Sequence, residues 1–270
     1  MMGTETRTPR MGRWVLTGAA GAIGRHLRES LGDVFEELTL LDVRPIADTA
    51  PHERSQVVDL RDLSALRAAF AGADGVIHLG GLADEADFHD LAEVNIVGTY
   101  HVLEAARLAG LRRVVYASSN RVTGRYPTTT VVGPEDPYRP DGFYGVSKAA
   151  GESLCRLYSD TFGMQVACLR IGSFEAEPAT ARELRTWLSP RDCTAAFAAA
   201  VSGDDAFTTF YAVSANAGLW WDTGAGERAG FHPADDASAF AAHASGELVE
   251  PQGGRYATAE YVLARQRHRG

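Results

Sequence analysis

The strongest constraint on this chain is an alternation. From Arg13 onward, short apolar runs of β type are separated by longer segments with helical spacing, the pattern left when successive strands return to one parallel sheet through crossover helices. The strand candidates are residues 14–17, 38–41, 56–58, 75–79, 113–117 and 166–171. Most are continuous apolar runs, as strands covered on both faces should be. Between the fourth and fifth candidates, residues 87–109 read as a long helix, with Leu91, Val94, Val97, Val102, Leu103 and Ala106 near helical spacing and Gly110 suited to end it. A second helix is predicted from about Tyr144 to Phe162, with Gly163 as its stop. Pro127, Pro134, Pro137 and Pro140 make the stretch before it an irregular loop that delivers the chain to Tyr144. The expected fold class is α/β, a Rossmann-type doubly wound parallel sheet.

After Ile171 the alternation weakens. Residues 190–201, 208–213 and 234–242 read as additions beyond the sheet, a small C-terminal substrate-binding cap. Nothing resembles an interdomain linker or a long repeat. Residues 13–244 are therefore expected to form a single dinucleotide-binding domain with cap elements after about 172, between a flexible extension at 1–12 and a mobile tail at 245–270. The 270 residues suffice for a large core, and 45% hydrophobic with 23% charged residues is an ordinary globular mix. A formal net charge of −9 gives no broad basic face, which argues against a nucleic-acid partner. No apolar run is long enough to span a membrane, and the polar start of the chain carries no secretory signal. Cys155, Cys168 and Cys193 are odd in number and widely spaced, suggesting neither a disulfide framework nor a metal site. They are expected to be reduced, packed thiols in a cytoplasmic protein.

The segment VLTGAAGAIGRHL sets Gly18, Gly21 and Gly24 after a strand and at the opening of a helix. A tight turn and close approach of backbone to a pyrophosphate both need residues without a β-carbon, and the helix N-terminus then offers N–H groups and partial positive charge. Ala22 and Ile23 belong to the same turn. An ordinary strand-to-helix turn would look similar, but the downstream residues favour a dinucleotide. Asp42 ends the second strand candidate, where a carboxylate can accept from the adenine-ribose hydroxyls of NAD and repel an added phosphate. Arg44 could in principle serve NADP, but an arginine in the loop after a strand is more commonly a surface charge, which favours NAD. Asp59 and Leu60 would flank the adenine, and Leu79, Gly80 and Gly81 would let the dinucleotide pass close to the fourth strand. His78, inside that strand, reads as packed rather than catalytic.

Tyr144 and Lys148 are four apart, which puts both on one face of a helix, one turn from each other. A free tyrosine has a pKa of about 10, and a nearby ammonium favours its ionised form. Tyr144 can then remove a hydroxyl proton as hydride leaves the same substrate for the nicotinamide, while Lys148 also holds the nicotinamide ribose. Ser119, at the end of the fifth strand, can hydrogen-bond the same substrate oxygen. Such a pair arises often by chance. The order of glycine turn, acidic strand end, strand-end serine and Tyr/Lys pair does not.

Further segments carry a resemblance. HLGG at 78–81, ASSN at 117–120, RPDGFYGVSK at 139–148, LRIGS at 169–173 and WWD at 220–222 are similar to the uronate dehydrogenase family of extended short-chain dehydrogenases, within the NAD-dependent epimerase/dehydratase-like superfamily. The resemblance spans roughly residues 13–243. It implies oxidation of a hexuronate, galacturonate or glucuronate, at the anomeric carbon to an aldarolactone, with hydride passing to NAD. It further implies that Ser119 and Asn120 contact sugar hydroxyls, that Ile171 borders the cofactor, that Ser173 borders both substrate and nicotinamide, and that Arg182 binds the uronate carboxylate. In the sequence ATARELRTW, a solvated surface charge on a helix is the plain alternative for Arg182. Trp220 and Trp221 are expected to shape the cap. The family pattern has a serine at the place of Ala83 and a histidine at that of Arg121, and both positions should lie near the sugar. Arg121 could pair with a carboxylate or point to solvent. A homo-oligomer, a dimer or larger, is also implied. Neutral aldose 1-dehydrogenase, nucleotide-sugar epimerase or dehydratase, and a non-catalytic NAD-sensing protein remain as alternatives.

Overall fold

The computed structural model describes residues 11–266. The alternation unfolds as β1 (Met11–Thr17), α1 (Ala22–Leu31), β2 (Phe35–Asp42), β3 (Glu53–Val57), α2 (Leu63–Ala69), β4 (Gly75–His78), α3 (Phe88–Leu91), α4 (Gly98–Ala109), β5 (Arg113–Ser119), α5 (Phe143–Phe162) and β6 (Gln165–Ile171). It continues with β7 (Ser173–Phe174), α6 (Glu183–Thr186), β8 (Trp187–Leu188), α7 (Pro190–Ser202), β9 (Phe207–Ala212), α8 (Gly224–Arg228) and α9 (Ala259–Leu263). Seven strands pair in the order β3-β2-β1-β4-β5-β6-β9, all parallel. The chain leaves β1 for β2 on one side and returns to β4 on the other. Thr17 is therefore registered against both Leu41 and His78. A crevice opens beyond the carboxyl ends of these strands, where doubly wound sheets hold their ligands.

Side-chain alternation explains why the strands read as unbroken apolar runs. In β1, Val15 belongs to the core under α2 and α4, and Leu16 to the core under α1 and α7; in β5, Val114 and Val115 divide in the same way. Both faces of the sheet are covered, so every position is selected for burial.

The long helix expected at 87–109 begins at Phe88, with the Asp87 carboxylate accepting from the His89 N–H at 3.1 Å. It runs through one wide, π-type stretch, Ala92–Val97, and stops at Gly110, whose φ of 74° is left-handed. α5 is likewise closed by Gly163, at φ 68°. The third strand begins earlier than its apolar residues suggest: 54–57 are exposed along the sheet edge, so no apolar run marks the start.

One expectation is corrected. Residues 208–213 were expected beyond the sheet, yet Phe207–Ala212 is its seventh strand, pairing with β6 from Val166↔Phe207 to Ile171↔Ala212. As an edge strand it keeps Phe207, Thr208 and Thr209 only half-buried, which breaks the apolar run that marks the central strands. α7, one of the other supposed additions, packs against α1 as the crossover that leads to it.

The sequence from Ser245 has no apolar period, and hydrogen bonds position it instead. Ser245 O accepts from the Ala181 N–H at 3.0 Å. The enclosed Gln252 donates from Nε2 to Pro127 O at 3.0 Å and Thr130 O at 2.8 Å. Gln266 reaches back to the Phe88 N–H and to Ala86 O. Residues 252–266 thus return to the carboxyl end of the sheet. Of the expected extension at 1–12, residues 1–10 lie outside the described residues, as do 267–270, and Met11 and Gly12 open β1. Trp220 and Trp221 pack with Val132, Tyr211 and Val213, with Trp221 stacked on Tyr211 at 5.1 Å between centroids.

Candidate active site

The turn after β1 is folded to backbone contact. Gly18 has φ +70°, and a Cβ there would stand 2.7 Å from Gly80 N; one at Gly24 would stand 2.4 Å from Gly18 O. Neither place admits a side chain. At the start of α1, Gly21 supplies no side-chain cap, so the first N–H groups of this ten-residue helix face the crevice without one. Across the turn, the buried Asp42 accepts from the Ala20 N–H at 3.0 Å through Oδ2 and from the Arg44 N–H at 3.0 Å through Oδ1. Arg44 Nε lies 3.3 Å from the same carboxylate, with its side chain mostly exposed. Asp59, after β3, is paired with Arg61 at 2.6 Å.

Every residue expected at the site borders one cleft of 720 Å³. At its dinucleotide end lie Gly18, Gly21, Ala22, Ile23 and Gly24, with Asp42, Asp59, Leu60, Leu79, Gly80 and Gly81. At the other end are Ala83, Ser119, Asn120, Arg121, Tyr144, Lys148, Ile171, Ser173 and Arg182. The elongated cleft, the glycine cradle that a Cβ would fill and the buried carboxylate at the β2 end fit a dinucleotide.

Tyr144 sits in the first turn of α5 and Lys148 one turn further, both buried. That helix start is fixed by Glu85, whose carboxylate accepts from the Phe143 N–H at 2.9 Å and the Tyr144 N–H at 3.2 Å. Lys148 Nζ donates to Ala117 O at 2.9 Å, tying α5 to β5, and lies 5.8 Å from the Tyr144 ring centroid. The Tyr144 hydroxyl hydrogen-bonds Ser119, and Ser119 Oγ also accepts from the Arg121 N–H at 3.2 Å. Burial pushes the Tyr144 phenol up to about 12, against which the Arg121 charge and the Ser119 hydrogen bond pull down. Burial also brings the Lys148 ammonium down to about 8. His78 is packed as expected, bonded through Nδ1 to Thr17 Oγ1 at 2.8 Å and through Nε2 to Thr99 Oγ1 at 3.1 Å.

At the end of the cleft beyond Tyr144, two residues are placed by their contacts. Arg182 is no solvated helix charge: it borders the cleft, its Nε donates to Gln252 O at 2.8 Å, and its guanidinium lies 5.3 Å from the Tyr256 ring centroid. Arg121 neither points to solvent nor keeps a nitrogen free. Its Nε donates to Asp141 at 2.7 Å and 2.8 Å, Nη1 to Asp84 at 2.9 Å, and Nη2 to Glu85 at 3.4 Å. Ser173 Oγ exchanges a hydrogen bond with Thr186 Oγ1 at 2.8 Å.

Three residues were missed. Asn95, in the wide stretch before α4, accepts from the Leu82 N–H at 2.7 Å, returns a hydrogen bond to Leu82 O at 3.0 Å and donates to Ser147 Oγ at 3.0 Å. It shapes the loop after β4, and a π-type stretch leaves no sequence signature. Asp84 and Tyr256 also border the cleft. Nothing in their local sequence signals this, because one is in an irregular loop and the other follows the last apolar period.

Comparison with known proteins adds sequence likeness to this geometry. The family model described as the NAD dependent epimerase/dehydratase family matches residues 14–206. A uronate dehydrogenase of Agrobacterium fabrum is 42% identical over 237 residues, covering 86% of this chain and 88% of the relative. The crystal structure of a uronate dehydrogenase from Agrobacterium tumefaciens, a tyrosine-to-alanine mutant complexed with NAD, superposes with a TM-score of 0.87 at 40% identity, covering 92% of this chain and 97% of that one. A glucuronic acid dehydrogenase from Chromohalobacter salexigens superposes with a TM-score of 0.88 at 36% identity, covering 93% and 98%.

Proposed function

The chain belongs to the NAD dependent epimerase/dehydratase family, and from that premise we propose that it oxidises a hexuronate, galacturonate or glucuronate, at the anomeric carbon to the aldarolactone. The observation that carries the reading is the shared cleft: a glycine cradle and buried Asp42 at one end, and Tyr144, Lys148, Ser119 and an arginine at the other. Gly18, Gly21, Ala22, Ile23 and Gly24 would hold the pyrophosphate, Asp42 the adenine ribose, and Asp59 and Leu60 the adenine. Leu79, Gly80, Gly81 and Ile171 line the remainder. NAD, when bound there, would supply the acceptor for the hydride released from C1.

Tyr144 takes the proton of the anomeric hydroxyl through its phenolate oxygen, so the C–H and O–H bonds break together and a C=O bond forms. Ser119 hydrogen-bonds the same oxygen and the phenol, aligning one with the other. Lys148 is held by Ala117 O, leaving its charge beside the phenol and its remaining protons for the nicotinamide ribose. Acid–base help of this kind is worth about 10²–10⁴-fold. Arg182 takes the uronate carboxylate, for which a guanidinium has the matching planar geometry. Asn120 and Ser173 contact sugar hydroxyls, and Ala83 leaves one hydroxyl contact fewer.

The protein is proposed to work in the cytoplasm as a homo-oligomer. Three unbonded, buried cysteines support a reducing compartment. The exposed Tyr100 and Leu108 of α4 and Leu157 and Phe162 of α5 support pairing through these helices, and light scattering at micromolar concentration tests it.

Incubating the purified chain with NAD and galacturonate or glucuronate tests the activity. NADH formed in step with aldarolactone is expected. NADH only with neutral aldoses, or sugar conversion with no net NADH, would replace the reading by a neutral-sugar dehydrogenase or an epimerase.

A further inference from the structure

Arg121 is the most heavily engaged side chain near the reacting end. It is buried, and all three guanidinium nitrogens are committed to carboxylates from two loops: Asp84 and Glu85 after β4, and Asp141 just before α5. Its carbon Cζ lies 5.3 Å from the Tyr144 ring centroid, 4.5 Å from that of Tyr256 and 5.9 Å from that of Tyr261. Its backbone is as tightly placed. The N–H donates to Ser119 Oγ, and the carbonyl sits so near α5 that a Cβ at Gly145, beside Tyr144, would meet it at 2.5 Å.

From this geometry we propose that Arg121 is a positioning residue for Tyr144, fixing the phenol, the Ser119 hydroxyl and the C-terminal segment in one arrangement, and that it does not bind the substrate carboxylate. With Asp84, Glu85 and Asp141 already paired to its three nitrogens, the single positive charge of the guanidinium is more than offset by the protein's own carboxylates, which leaves little attraction for a further anion. Instead it joins three pieces. Glu85 links it to the start of α5, and Asp141 links it to the loop before that helix. The third piece is the C-terminal segment, through the Tyr256 and Tyr261 rings and through the Tyr261 hydroxyl on Asp84.

The groups facing Arg121 set the sign of its effect. Asp84, Glu85 and Asp141 come from the loops, Tyr144 from α5, Tyr256 and Tyr261 from the C-terminal segment, and Arg182 acts from the position just before α6. The Arg121 charge pulls the Tyr144 pKa down, whereas Asp84 and Asp141 push it up. Altering the arginine or the acids should therefore move the proton-acceptor form of Tyr144 in opposite directions along the pH axis.

The inference rests on Tyr144 being the base, so Tyr144→Phe serves as the reference. The experiment measures kcat and KM for uronate oxidation against pH in Arg121→Lys and Asp84→Asn, after thermal unfolding and NADH fluorescence have confirmed folded, cofactor-binding protein. In Arg121→Lys, one ammonium cannot span three carboxylates. Its kcat should fall roughly tenfold or more, with the acid limb displaced upward by about one pH unit and KM changed little. In Asp84→Asn, a change at a half-exposed residue, the same limb should move downward, which keeps the idea testable should Arg121→Lys not fold. Limbs that stay in place while kcat falls would reduce Arg121 to a structural role. A tenfold rise in uronate KM with kcat and limb unchanged would make it a carboxylate ligand. Either result overturns the inference while leaving Tyr144 intact, whereas an active Tyr144→Phe overturns the base itself.

Discussion

Replacing Arg182 by Ala should separate charged from neutral substrates. Its Nε is held by Gln252 O, while its terminal nitrogens make no ion pair or hydrogen bond among the described residues and border the cleft. Both terminal NH2 groups are therefore available to a carboxylate. A hydrogen bond to a charged group contributes about 1.5–3 kcal/mol, and each 1.4 kcal/mol is about tenfold in affinity. Losing one such interaction raises the uronate KM about 10–100-fold. Because the proton and hydride steps are remote from the carboxylate, kcat should change much less. The substitution also frees Gln252 O and removes the contact with the Tyr256 ring, a loss that falls on any sugar alike. The informative quantity is thus the ratio of kcat/KM for galacturonate to that for galactose, measured by initial NADH formation in wild type and variant. A ratio that collapses about tenfold or more supports carboxylate binding. An unchanged ratio, with both substrates weakened equally, refutes it and leaves Arg182 as an anchor for the C-terminal segment.

Tyr144→Phe should lower kcat by about 10²–10⁴-fold while NADH binding, followed by fluorescence quenching, stays near wild type. Retained turnover would remove Tyr144 as base. Asp42→Ala takes away the acceptor at the β2 end and the charge that repels a phosphate, so the kcat/KM preference for NAD over NADP should fall at least tenfold; an unmoved preference would show that discrimination lies elsewhere. His78 governs part of the acid stability. Burial and the Lys148 charge lower its pKa from 6.5 to about 3, so the unfolded chain binds the extra proton between those values. Its stabilisation is complete above pH 6.5 and is lost as pH falls toward 3, by about 1.4 kcal/mol for each pH unit fully within that window. Urea midpoints should drop less steeply with acid in His78→Gln than in wild type. Parallel curves would count against the assignment.

The strands and the glycine turn were legible because burial on both faces and a left-handed Gly18 each demand a narrow set of residue types. Tyr144 and Lys148 were legible for a different reason: one helical turn is a fixed spacing. What escaped depends on tertiary placement. β9 hides its start in a half-buried Thr pair, Asn95 acts from a wide helical stretch, and Tyr256 reaches the cleft on a segment ordered by Gln252 and backbone hydrogen bonds. Arg121 was visible as a cation expected near the substrate. Its occupation by Asp84, Glu85 and Asp141 was not, since the acids come from two distant loops that only the folded sheet brings together.

In the proposed reaction a uronate loses hydride from C1 as Tyr144 removes the hydroxyl proton. The most direct measurement follows galacturonate or glucuronate carrying deuterium at C1, with NAD, in wild type and Tyr144→Phe. One deuterium delivered to the NADH for each aldarolactone formed is expected in the wild type, and almost none in the variant. Deuterium retained in a converted sugar, or transfer undiminished in Tyr144→Phe, would contradict it.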